Sequence, residues 1–172
     1  MSVPHSTVNY RRIDPVADGE LAYANYRETA VASFDDPSQC TTQRSYLRWL
    51  TERVEEFPDG HVIATLGDGG PLIGQLELQV PYGLAVGYVN LFYVVRQWRR
   101  LGFGRRLHDE YLLKYFRSWE ASEIELHVSP ANQAAVQFYR ALGYSLVEEE
   151  RGGGSGMWRM RRRVDLLQKQ GC

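Results

Sequence analysis

The sequence predicts an α/β fold: a mixed, mainly antiparallel sheet of about seven strands with helices on both faces. Two observations carry this reading. Seven short apolar or alternating runs are interleaved with four segments of helical period, and one succession of strand, glycine-bearing loop, helix and strand between 87 and 128 forms a βαβ unit. A crossover of that kind makes its two strands parallel and right-handed, whereas the tight turns elsewhere in the chain join antiparallel neighbours.

The elements follow in order. Thr7 to Ile13 reads as a first strand, and Asp14-Pro15 opens a helix running to about Ser33. Phe34 to Thr42, with Asp35-Asp36-Pro37-Ser38, is a loop. A second helix spans about Thr42 to Phe57, with Tyr46, Leu47, Leu50, Val54 and Phe57 along one face, and Pro58-Asp59-Gly60 stops it. His61 to Leu66 and Leu72 to Val80 flank Gly67-Asp68-Gly69-Gly70-Pro71, a hairpin signal. After Tyr82-Gly83 comes the strand Gly87 to Val95, then a helix from about Gly102 to Trp119, whose Leu107, Tyr111, Leu112, Tyr115, Phe116 and Trp119 form a broad apolar stripe. Glu123 to Val128 alternates, placing Ile124, Leu126 and Val128 on one face and Glu123, Glu125 and His127 on the other. Asn132 to Leu142 is a short helix closed by Gly143. Tyr144 to Glu150 and Gly156 to Val164 are the last strands, joined by Gly152-Gly153-Gly154-Ser155-Gly156, and Asp165 to Cys172 reads as a frayed tail.

At 172 residues the chain suits one domain, with a core over about 7–164 and a tail over 165–172. A net charge of -1 argues against bulk attraction to nucleic acid or membrane. No apolar leader follows the start and no run approaches the roughly 20 residues of a spanning helix, which suggests a cytoplasmic protein. Cys40 and Cys172 form neither a disulfide framework nor a metal motif, and are read as free thiols with no metal expected. Arg159, Arg161, Arg162 and Arg163 alternate with Trp158 and Met160 as on an edge strand with a solvated face.

Arg99-Arg100-Leu101-Gly102-Phe103-Gly104 is the most informative stretch. Its two glycines permit positive φ and close approach of the backbone to a ligand, and the helix starting beside them aims N–H groups and a positive dipole end at the same spot. An anion, and phosphate in particular, is expected there, with Arg96, Arg99, Arg100, Arg105 and Arg106 adding charge. A triphosphate loop would need Gly-Lys-Ser/Thr, but Gly104 is followed by Arg105-Arg106; a dinucleotide fingerprint would need a third glycine where Leu107 stands.

Val94, Arg99, Gly102 and Gly104, in the form Arg-x-x-Gly-x-Gly, resemble the pyrophosphate-binding motif of the GNAT superfamily of acetyl-CoA-dependent N-acetyltransferases. Leu126-His127-Val128-Ser129-Pro130-Ala131-Asn132, followed by Ala135, Phe138-Tyr139 and Ala141-Leu142-Gly143-Tyr144, is similar to the family's second signature. The resemblance covers Tyr88 to Tyr144; the stretch from Ser2 to Pro81 carries no motif of its own.

The resemblance implies acetyl-CoA as cosubstrate and a small-molecule, peptide or protein amine as acceptor, with no nucleic acid or membrane partner and with a homodimer allowed. It implies that Phe92, Tyr93 and Val94, at a bulged and splayed strand end, align the pantetheine arm. Backbone amides across Arg99, Arg100, Leu101, Gly102, Phe103, Gly104 and Arg105 would take the pyrophosphate, and Asn132 would bond the arm. Tyr139 lies two helical turns beyond Asn132, so both face one channel, and it is the implied proton donor to the departing thiolate. Otherwise it is a half-buried aromatic. His127 is the candidate base, or else a strand histidine satisfied by a neighbour; Glu125 shares its face and can orient it. Glu77 and Tyr88 are the other base candidates, and some of Tyr23, Tyr26 and Tyr82 are expected to line the acceptor pocket. The rival functions are a catalytically silent acyl-CoA-binding module and a nucleic-acid binder using the arginine clusters.

Overall fold

A computed structural model describes residues 7–34, 40–81, 83–149 and 156–165. The elements are β1 (Val8–Arg12), α1 (Gly19–Phe34), α2 (Gln43–Glu56), β2 (His61–Leu66), β3 (Leu72–Gln79), β4 (Val86–Val94), a helix α3 over 103–118, β5 (Glu123–Val128), α4 (Gln133–Ala141), β6 (Ser145–Glu149) and β7 (Trp158–Arg163). The strands form one seven-stranded sheet in the order β1-β2-β3-β4-β5-β7-β6. Every pairing is antiparallel except β4 with β5, which the α3 crossover makes parallel.

Alternation sorts the core into two layers. Val62 and Ala64 of β2 pack with α3, while the intervening Ile63 packs with Ile13, Ala22, Tyr46 and Leu50 beneath α1 and α2. The α3 layer holds Leu107, Leu112, Leu113 and Phe116 against Leu76, Leu78, Ile124 and Leu126. α3 is not uniform: an α-turn at Phe103–Arg106 passes through a π-helical stretch at Leu107–Leu112 before returning to α-geometry at Leu113–Ser118. Tyr111 stacks on Tyr10 at 4.5 Å between ring centres, but Trp119, expected on the buried stripe, lies just past the helix end and is 45% exposed.

Local chemistry explains the boundaries. α1 begins at Gly19, not at Asp14-Pro15. The Asp14 carboxylate accepts from the backbone N–H of Val16 and Ala17, and Asp18 takes a bidentate bond from Arg11, so the chain makes a turn before the helix starts. Thr42 caps α2 by accepting from Ser45 N–H at 3.3 Å, and Asn132 caps α4 by accepting from Ala135 N–H at 3.2 Å. Gly143 closes α4 at φ 87°.

Two expectations change. β7 lies between β5 and β6 and is not an edge strand. Its arginines cross to the neighbouring strand: Arg161 bonds Glu125 and pairs with Glu123, and Arg159 also pairs with Glu125. Cys40 is a free thiol, whereas Cys172, most of the tail, and the glycine turn up to Ser155 lie outside the described residues.

Gly87 of β4 sets how closely α3 lies on the sheet, because a Cβ built there would stand 2.3 Å from the Phe116 ring. Gly87→Ala should therefore cost about 1–3 kcal/mol, the usual range for overpacking, visible as a melting temperature lower by several degrees. Combined with Phe116→Leu it should cost less than the two single changes summed, and strict additivity in thermal denaturation would refute the contact.

Candidate active site

The site begins where β4 and β5 part. Their parallel register runs only from Val86 opposite Glu123 to Val89 opposite Leu126, although both strands continue beyond it. At the same level β4 carries a bulge. Glu77 faces Leu91 and the next residue, Leu78, faces Val89, so Asn90 is an extra residue. A bulge bends its strand and ends pairing, and a cleft of about 420 Å³ opens in the resulting fork.

Phe92, Tyr93 and Val94 line this cleft as the continuation of β4 beyond its pairing with β5, just past the bulge. Asn132, Ala135, Phe138 and Tyr139 of α4 form one wall, and Glu28, Thr29 and Ala32 of α1 another. Arg99, Arg100, Gly102, Gly104 and Arg105 line it as well. Of the predicted donor-site residues, Leu101 is 59% exposed and Phe103 is buried against Trp98. Neither side chain lines the cleft, so any part they play is through the backbone.

The cradle differs in detail from its sequence reading. Gly102 takes φ 86°, but the other positive φ belongs to Arg100 at 65°, not to Gly104. Gly104 is small for another reason: a Cβ there would press on the Phe138 ring at 3.1 Å. Gly102 caps the start of α3, where the first N–H groups have no preceding turn to bond. A Cβ at Gly102 would meet no protein atom within 4 Å, which leaves room for a ligand. The arginines are partly engaged. Arg99 donates from Nε to Val94 O at 2.7 Å and pairs with Glu28 at 2.6 Å, Arg106 pairs with Glu110 at 2.8 Å, and Arg105 reaches Ala141 O at 3.4 Å. Glu28 also accepts from the Tyr93 hydroxyl at 2.8 Å.

Asn132 and Tyr139 do share the cleft. The Asn132 oxygen is used in capping α4, so its amide N–H groups are what remain to bond a ligand. The Tyr139 ring sits edge-on to Phe92, and burial raises its phenol above the usual value, keeping it protonated. Among the described residues its hydroxyl has no protein partner.

His127 lies elsewhere. Leu126 and Val128 enter the α3 layer, which turns His127 to the α1–α2 side of the sheet, and its Nδ1 lies 2.6 Å from the Tyr88 hydroxyl. Glu125, expected to orient it, is instead engaged by Arg161. Glu77 also faces the α1–α2 side and is 1% exposed, at the end of a donor chain: Asn25 donates to Gln75, and Gln75 and Tyr46 both donate to Glu77 Oε1, at 2.8 and 2.5 Å. Burial pushes its carboxyl up to about 7, against the lowering effect of those two hydrogen bonds.

Tyr26 lines a second cleft with Glu77, Tyr46, Trp49 and Asn90, while Tyr23 stacks behind it, 6.1 Å away, and donates to Thr41 O. Tyr82 lies outside the described residues. Among the described residues no cluster is placed to hold a metal, and no helix is long and apolar enough to cross a membrane.

The glycine turn before α3, the edge of β4 that β5 leaves free and the Tyr139 phenol meet in one fork. The family model described as acetyltransferase (GNAT) family matches residues 24–144, and the chain belongs to that family. That family is one of acetyltransferases. Ard1 from Thermoplasma volcanium is 22% identical, with a TM-score of 0.70 over 91% of this chain and 97% of that one. Spermidine N-acetyltransferase from Vibrio cholerae, solved with CoA and spermine, is 18% identical, with a TM-score of 0.71 over 91% and 95%. Ribosomal-protein-alanine N-acetyltransferase from Brucella melitensis is 18% identical, with a TM-score of 0.67 over 91% and 99%. No curated protein sequence matches.

Gly102→Val should abolish acetyl-CoA binding in calorimetry, since a β-branched residue resists positive φ and fills the space above the helix start. Retained affinity would remove Gly102 from the cradle. Glu77 supplies a pH test. Its folded value near 7 stands above the 4.5 of the free side chain, so between these values the unfolded chain releases a proton that the folded chain keeps. Wild-type stability therefore loses ground as pH rises through this window and levels off above it. Glu77→Gln lacks that slope, so its melting temperature should gain on the wild type from pH 4.5 to 7; a constant difference would contradict the buried carboxyl.

Proposed function

We propose that the chain transfers the acetyl group of acetyl-CoA to a primary amine by direct attack in a ternary complex. The observation that carries this reading is the convergence of the Gly102 cradle, the unpaired edge at Phe92 to Val94 and the Tyr139 hydroxyl on one cleft. Acetyl-CoA supplies the activated acyl group as a thioester. The amides at the start of α3, with Arg100 and Arg105, hold its pyrophosphate. Asn132 and the backbone of β4 orient the pantetheine arm, and the same backbone polarises the thioester carbonyl as negative charge develops on its oxygen. Tyr139 gives the thiolate its proton. His127, hydrogen-bonded to Tyr88 on the α1–α2 side and outside the donor cleft, takes the proton of the attacking amine through an intervening water. No covalent enzyme intermediate is needed, because a preorganised ternary site already provides proximity. The setting of this reaction is the cytoplasm.

The test is release of coenzyme A thiol across a panel of peptide, polyamine and aminoglycoside amines. Turnover with at least one class is expected; a flat panel beside tight acetyl-CoA binding would favour the silent binding module. Tyr139→Phe should lower kcat by about 100-fold, the scale of a lost general acid, with acetyl-CoA affinity nearly unchanged. His127→Ala should lower it comparably, and activity equal to wild type at every pH would return His127 to a structural role.

A further inference from the structure

Beyond the donor cleft, the α1–α2 face holds a second cleft of about 400 Å³, lined by Tyr26, Tyr46 and Trp49 together with Glu77 and Asn90. Its composition is specific. Tyr26 and Tyr46 stack at 4.8 Å, and Trp49 follows at 6.1 Å from Tyr46, so three adjoining aromatic rings border one space. Such rings attract a cation through their negative faces, most strongly where water is excluded. Among the described lining residues none is basic.

Glu77 gives the aromatic wall a charge to complete. Both of its hydrogen bonds within the protein go to Oε1, and among the described residues no cation pairs with it. A buried carboxylate without a counter-charge is costly, and a positive ligand removes that cost. Asn25, Gln75 and Tyr46 all donate toward this carboxylate, so the network is oriented to receive positive charge at its end. Asn90 adds a buried Nδ2 with no hydrogen-bond partner, at the bulge between the two clefts.

The position of the cleft relative to the donor site decides what kind of cation fits. Glu77 lies opposite Leu91, and the next residue of β4, Phe92, lines the donor cleft, so the two clefts adjoin along this strand. A cation seated at Glu77 is therefore displaced from the reacting centre by a short chain and is not itself the nucleophile.

We propose that this cleft selects an acceptor carrying two basic nitrogens, a short aliphatic diamine, holding one as a cation against Glu77, Tyr26, Tyr46 and Trp49 while the other meets the thioester. The inference rests on the acetyltransferase reading for the second nitrogen, but the cation seat can be measured without acetyl transfer.

Calorimetry on the full chain, first without and then with acetyl-CoA, would titrate 1,4-diaminobutane, n-butylamine and a short peptide with a free N-terminal alanine. The diamine should bind at least tenfold more tightly than butylamine, and Glu77→Gln and Trp49→Leu should each remove most of that preference while acetyl-CoA affinity is kept. Thermal denaturation of both variants establishes that they fold; the two act on different elements, so one remains informative if the other unfolds. Equal binding of diamine and monoamine, preference for the peptide, or a preference that survives both substitutions would overturn the proposal. Diamine binding without acetyl transfer would leave the cation seat standing and count against the reaction instead.

Discussion

The whole arrangement depends on the early end of the β4–β5 ladder. Parallel pairing stops after Val89 and Leu126, and the extra residue Asn90 turns the rest of β4 away. Were the ladder to continue, backbone groups from 91 to 94 would be spent on β5, and there would be neither a fork for a ligand nor an unpaired strand edge to bond it. The βαβ crossover then gathers the remaining parts at one place. α3 starts, and the segment leading to α4 leaves the sheet, at the carboxyl ends of these two strands, where open α/β sheets collect ligands. The core on the α3 side holds the fork open, with Phe138 packed on Phe92 beside Gly104.

The parts of this arrangement that the sequence displayed are those encoded by neighbouring residues. Gly102 and the arginines around it, the Asn132 cap and Tyr139 two turns on are all local patterns, and they meet in the cleft. Contributions set by tertiary pairing were not visible. Glu28 reaches Tyr93 and Arg99 across 65 and 71 positions, and nothing in α1 marks it for that contact. A bulge in this strand was implied only by the family resemblance, and its place at Asn90 is a matter of register between two strands, with no glycine or proline to signal it. The same cause moved β7 from the edge to the interior and gave Glu125 to Arg161 rather than to His127. One signal was available: Gln75 and Glu77, two polar residues at strand spacing within the apolar run of β3, mark a buried polar network.

The two clefts carry opposite electrostatic tasks. In the donor fork, backbone N–H groups and arginines face a space suited to phosphate. Across β4, an oriented series of donors ends on a carboxylate beneath aromatic rings. In β3, Leu76 and Leu78 are buried on the α3 side while Gln75 and Glu77 carry the polar network on the other.

α1 belongs to both sets. Within a few residues it presents Tyr26 to one cleft and Glu28, Thr29 and Ala32 to the other, and Glu28 ties it to Arg99 beside the cradle. A rigid rod in contact with two compartments transmits any tilt from one to the other. Substitutions that reshape the helix for a new acceptor also alter its grip on the donor, so the two specificities of this scaffold are inherited as a linked pair and diverge together.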